Sequence, residues 1–163
     1  MSTTTARATL TPDPSSDSGA IPILAVRAGQ EVYGFPLSSV REILAPPPIA
    51  EVPRAPESVL GVISVRGQII TLLDLTKVLD LELEQTAPYC RVLLIDNGDE
   101  LIGVAVDSVI QVYRMEPRQI EYASAMSAEL SDYVVGIGRI SAQNSAVDHD
   151  MLILLDPVAL LRG

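Results

Sequence analysis

The chain has 163 residues, a formal net charge of -10, and single copies of cysteine and histidine. A chain near this length buries roughly two-thirds of its unfolded surface, as one domain or two small interdependent ones. Its arginines are scattered singly rather than clustered, which excludes nucleic acid and anionic lipid as electrostatic partners. Its apolar runs are short of the ~20 residues that cross a bilayer, and the N-terminal segment lacks the apolar block of a signal peptide. The expectation is a cytoplasmic protein with no direct membrane insertion. Cys90 reads as a small buried hydrophobe.

In chain order, Met1 to Ala20 is dominated by Ser, Thr, Pro and Asp and reads as a disordered tail, residues 1–20, ahead of one domain over 21–163. Ile21 to Ala28 predicts a strand, Gly29-Gln30 a turn, and Glu31 to Pro36 the returning strand. Ser38 or Ser39 is placed to cap a short helix through Val40, Arg41 and Glu42, stopped by Pro46-Pro47-Pro48. Ile49 to Val52 reads as an extended piece bounded by prolines. Two apolar runs, Val62 to Val65 and Ile69 to Leu73, flank the polar triplet Arg66-Gly67-Gln68 and predict a hairpin with an arginine at its tip. Asp74 caps a helical turn through Leu75, Val78 and Leu79. Arg91 to Ile95 and Leu101 to Val106 flank Asn97-Gly98-Asp99, the clearest hairpin signal in the chain. Val109 to Met115 continues as a strand that Glu116-Pro117 breaks. Tyr133 to Ile140 and Met151 to Leu155 form a last pair, and Asp156-Pro157 starts a terminal helix. Many short strands with Gly, Pro and Asn between them indicate an all-β sandwich or barrel with short helices.

The residues offer little for catalysis. His149 is the only histidine, so any triad or histidine acid/base scheme must use it, and it sits in a polar loop where a general base is poorly held. Asp148-His149-Asp150 lacks the separately spaced donors of a metal site. Gly136-Ile137-Gly138 is half of a dinucleotide fingerprint, but Ser141 stands at the third glycine position and no helix follows. Asp74 and Asp156 are accounted for as helix caps; Asp107 is not accounted for. No catalytic residue, metal or cofactor is assigned. Arg66 is the hardest to dismiss, since a tip arginine is either a solvated side chain or an interface anchor.

Three segments, EVYGFPLSSVREIL, GVISVRGQIITLLDL and ELIGVAVDSVIQV, together with the ending MLILLDPVALL, resemble the CheW-like domain, the bacterial chemotaxis coupling module. The resemblance covers about Ile21 to Gly163. It implies two interlocked five-stranded β-barrel subdomains with no catalytic centre. It also implies an adaptor that binds the cytoplasmic tip of chemoreceptors and the regulatory domain of a CheA-type histidine kinase. On matched positions Val40, Glu42, Arg66 and Gly103 fall at the receptor- and kinase-binding surface, and Glu42 and Arg66 are able to pair across it. Gly103, Gly61 and Gly67 are equally explained by the backbone. Ser64-Val65 stands where the family has Asn-Leu, and Thr71 replaces its usual proline. The other reading is a small-ligand-binding β-barrel sensor, which requires an apolar cavity with convergent polar groups.

Overall fold

A computed structural model describes residues 19–81, 88–123, 132–140 and 150–161. The expected tail lies outside these residues up to position 18, and so do His149 and positions 141–149 of the polar loop. Ala20, at the end of the expected tail, is buried.

The described strands are β1 Ile21–Ala28, β2 Glu31–Pro36, β3 Val40–Leu44, β4 Val59–Val65, β5 Gln68–Asp74, β6 Arg91–Asp96, β7 Leu101–Val106, β8 Ser108–Met115, β9 Ile120–Tyr122, β10 Val134–Arg139 and β11 Met151–Leu155. They form a six-stranded sheet, in the order β8-β1-β2-β11-β10-β9, and a five-stranded sheet, β3-β6-β7-β5-β4. Most neighbours are antiparallel hairpin partners; β11–β2 and β5–β7 are parallel. Two four-residue helices, α1 Leu75–Val78 and α2 Pro157–Leu160, follow β5 and β11. As the sequence predicts, Asp74 and Asp156 cap them by accepting hydrogen bonds from the Thr76 and Val158 amides.

Both faces of the central strands are buried, which is why they read as continuous apolar runs rather than alternating ones. Along β1, Ile21, Ile23 and Ala25 enter a core inside the six-stranded sheet, while Leu24, Val26 and Ala28 face the other way. Those three meet Leu93, Ile95, Val104 and Val106 of the five-stranded sheet in a medial core. On β6 the alternation repeats: Val92 and Leu94 join Ile63, Ile70 and Leu72 in a third core on the far face of that sheet. Each sheet therefore curls over its own core and packs back to back with the other.

Three expectations are corrected. Cys90, read as a small buried hydrophobe, is exposed, because it lies just before β6 rather than within it. The sheets hold six and five strands, not five each, and no closed barrel is found: among the described residues β8 and β9, and β3 and β4, are unpaired ends. The predicted helix over Val40, Arg41 and Glu42 is instead β3, preceded by a 3-10 turn at Leu37–Ser39 with no side-chain cap. The Ser39 hydroxyl donates to the Pro36 carbonyl, and the segment gains its hydrogen bonds from β6 rather than from itself. A three-residue turn is also too short to propagate a helix.

The chain passes from one sheet to the other at Asp107, between β7 and β8. The Asp107 carboxylate accepts from the Gly29 amide at 2.9 Å, tying this crossover to the β1–β2 turn. That is the role the sequence left unassigned. Burial raises its carboxyl above the ordinary range, against the lowering effect of the Gly29 hydrogen bond.

Candidate functional site

Val65 and Gln68 face each other across the β4–β5 ladder, so the turn consists of Arg66 and Gly67 alone. Both have positive φ, 47° and 82°, the left-handed pair that fits a two-residue hairpin to the strand twist. The glycine is required for its backbone angle, since a Cβ there would meet nothing within 4 Å. Arginine in this region is uncommon, and the turn holds its side chain out from the sheet, 70% exposed.

The guanidinium reaches Glu42 with two hydrogen bonds, Nη2 to Oε1 at 2.5 Å and Nη1 to Oε2 at 3.2 Å. This fork geometry fixes the plane of the arginine as well as its position. Arg66 follows the edge strand β4, whereas Glu42 lies on β3, the opposite edge of the same sheet. The pair thus spans the two ends where the sheet curls round without pairing. The hydrogen bonds with Arg66 hold the Glu42 carboxyl below its usual range, and Glu42 raises the guanidinium in turn. In such an exposed position the pair adds little to stability; it orients.

Val40 does not share this surface. A bulge sets Val40 opposite Ile95 but Glu42 opposite Leu94, so residues 40 and 42 face opposite sides of the sheet. Val40 packs against the medial core, while Leu44, on the Glu42 side, packs against the third core. Gly103 is interior too, paired with Leu94 on β6 and Leu72 on β5. A Cβ on Gly103 would sit 3.1 Å from Leu72 Cδ1, so a side chain there would press on Leu72 inside the sheet. The structure therefore joins Glu42 with Arg66 and separates both from Val40 and Gly103.

Two neighbours escaped sequence reasoning. Ile69, beside the tip on β5, is 67% exposed, an apolar surface next to the arginine. Arg41 pairs with Asp96 at 2.7 Å, and that hydrogen bond, with a second from the Gly98 amide, lowers the Asp96 carboxyl. The Asp96-Asn97-Gly98 turn was legible, but the bulge that brings Arg41 to it was not.

The CheW-like domain model matches residues 22–163. The chain belongs to the CheW-like domain family. Relatives include the chemotaxis protein CheW of Klebsiella aerogenes, 28% identical over 134 residues, covering 82% of this chain and 76% of that protein. The probable chemotaxis protein CheW of Rhizobium etli is 25% identical over 147 residues, 90% of each chain. The crystal structure of the scaffolding protein TtCheW from Thermoanaerobacter tengcongensis superposes with a TM-score of 0.74 at 24% identity, covering 88% of this chain and 94% of that one. That likeness concerns the fold. The described residues contain no helix long and apolar enough to cross a membrane.

Proposed function

We propose that the chain is a non-enzymatic adaptor of chemotaxis or motility signalling. It couples the cytoplasmic tip of chemoreceptors, the methyl-accepting proteins, to the regulatory domain of a CheA-type histidine kinase. It acts in the cytoplasm, recruited to receptor arrays. Family membership and the chemotaxis relatives support this reading over the small-ligand sensor. The observation that carries it is the Arg66–Glu42 fork: an exposed arginine, oriented by a partner, in a position that contributes little to the fold. An interface anchor of that kind loses about 2 kcal/mol or more of binding when removed. Glu42 orients the arginine, whereas Val40 and Gly103, which pack inward, contribute to receptor and kinase binding only indirectly, by holding the strands that carry them.

The test is titration of the folded chain with a CheA-type regulatory domain and with a receptor-tip fragment, comparing wild type, Arg66→Glu and Val40→Asp. Circular dichroism first establishes that each variant is folded, because Val40 touches the medial core. Arg66→Glu is expected to weaken binding to at least one partner about 30-fold or more, the equivalent of that 2 kcal/mol. A folded Arg66→Glu that binds both partners as wild type does would rule the Arg66 surface out, and a folded Val40→Asp that does so would rule out the indirect contribution of Val40.

A further inference from the structure

We infer that the free edge of β8 is a docking site for an acidic, extended peptide segment of a partner protein, which adds to the six-stranded sheet as a further strand. β8 ends that sheet, and no described strand pairs with its outer side. The register identifies the backbone groups left open. Pro22 has no amide hydrogen and faces Arg114, so the bonded pairs of the β1–β8 ladder are Ile21–Met115, Ile23–Tyr113 and Ala25–Gln111. The N–H and C=O of Val112 and Arg114 therefore point away from β1.

A cleft of about 270 Å³ runs along this edge, lined by Gln111 through Met115 with Gln119 and Ile140 opposite. Successive side chains of a strand point to opposite faces, so five consecutive residues line one cleft only along the strand's edge. From Gln111 to Met115 that edge is about 13 Å long at the usual rise per residue, the footprint of a short strand rather than of a compact ligand. The Gln119 side-chain amide donates to the Arg139 carbonyl and closes the far wall.

Charge selects the occupant. The chain carries a net charge of -10, yet exposed Arg114 lines the cleft and exposed Arg139 flanks it. Among the described residues neither forms an ion pair. Main-chain bonding to Val112 and Arg114 supplies affinity for any extended segment, and the two arginines select one with carboxylates on alternate residues. A second copy of β8 is a poorer occupant, since it brings another Arg114 alongside the first.

The experiment uses the full chain, labelled with nitrogen-15, and three capped seven-residue probes: alternating valine and glutamate, alternating valine and lysine, and the glutamate peptide methylated on every amide nitrogen, which leaves neither edge able to donate. Amide exchange at Val112 and Arg114 is followed by NMR. At a concentration about tenfold above its dissociation constant, the glutamate peptide is expected to slow both amides about tenfold. Arg114→Glu and Arg139→Glu, each with an unchanged melting temperature, are expected to weaken that protection. Equal protection by the lysine peptide, or by the methylated peptide, would overturn the inference. So would protection of both amides in the peptide-free chain, whether concentration-dependent, showing self-pairing, or removed by deleting residues 1–18, showing that the chain's own N-terminal segment fills the edge.

Discussion

The two sheets meet the same topological problem and resolve it differently. Each curls over its own core and leaves a pair of terminal strands without a ladder between them. In the five-stranded sheet the ends are joined by side chains, with Glu42 on β3 gripping Arg66 at the tip of β4. The β4 edge is further covered at Val62, which exchanges two backbone hydrogen bonds with Ala50, both at 2.9 Å. In the six-stranded sheet no described strand covers the β8 edge, which lines a polar cleft. A curled sheet does not need to close to be stable, provided the back-to-back seam holds; its ends are then available for recognition.

The largest effect should come from that seam. Leu93 is fully buried in the medial core, and Leu93→Ala is expected to cost about 2–5 kcal/mol in urea denaturation. A loss comparable to that of an exposed site would mean that the sheets do not depend on each other. Next is the covered edge. Gly61 has φ of +150°, and a Cβ there would run into the Ala50 carbonyl, so Gly61→Ala should cost more than about 1 kcal/mol and loosen the Ala50 strap. Unchanged exchange at the Val62 and Ala50 amides would show that the strap is not what covers β4.

The smallest effect is electrostatic. Glu42 has its folded-state pKa lowered by Arg66, so the stabilisation it brings is present above the ordinary glutamate value of about 4.3 and is lost as pH falls through the depressed one. Arg66→Gln should raise the Glu42 carboxyl towards that ordinary value in a carbon-13 NMR titration, with little change in the urea midpoint. A Glu42 titration unmoved by the substitution would show that the fork is not maintained in solution.

Much of this architecture was legible in the chain. The strands declared themselves as Val/Ile/Leu runs, and the hairpins at Gly29-Gln30, Arg66-Gly67 and Asn97-Gly98 fell where the turn residues placed them. What stayed hidden depends on partners distant in sequence. Val40, Ile43 and Leu44 have helical spacing, and only pairing with β6 makes that segment a strand. The bulge that turns Val40 and Glu42 to opposite faces is a property of the β3–β6 register, not of either strand alone. Arg66 was found from its turn, whereas its pairing with Glu42 was suggested by family resemblance, and it is the curl of the sheet that brings the two together. The β8 edge had no signature, because strand order is a tertiary fact.

A charge-swap cycle on the fork tests most directly whether Arg66 serves a partner or merely the fold. Binding of a CheA-type regulatory domain and of a receptor-tip fragment would be measured for wild type, Arg66→Glu, Glu42→Arg and the double variant. The swap re-forms the ion pair with its charges exchanged, so an arginine read by a partner predicts that binding lost in Arg66→Glu stays lost in the double variant while its urea midpoint matches wild type. Full recovery of binding in the double variant would contradict this, and would make the pair a clasp for the sheet rather than a contact.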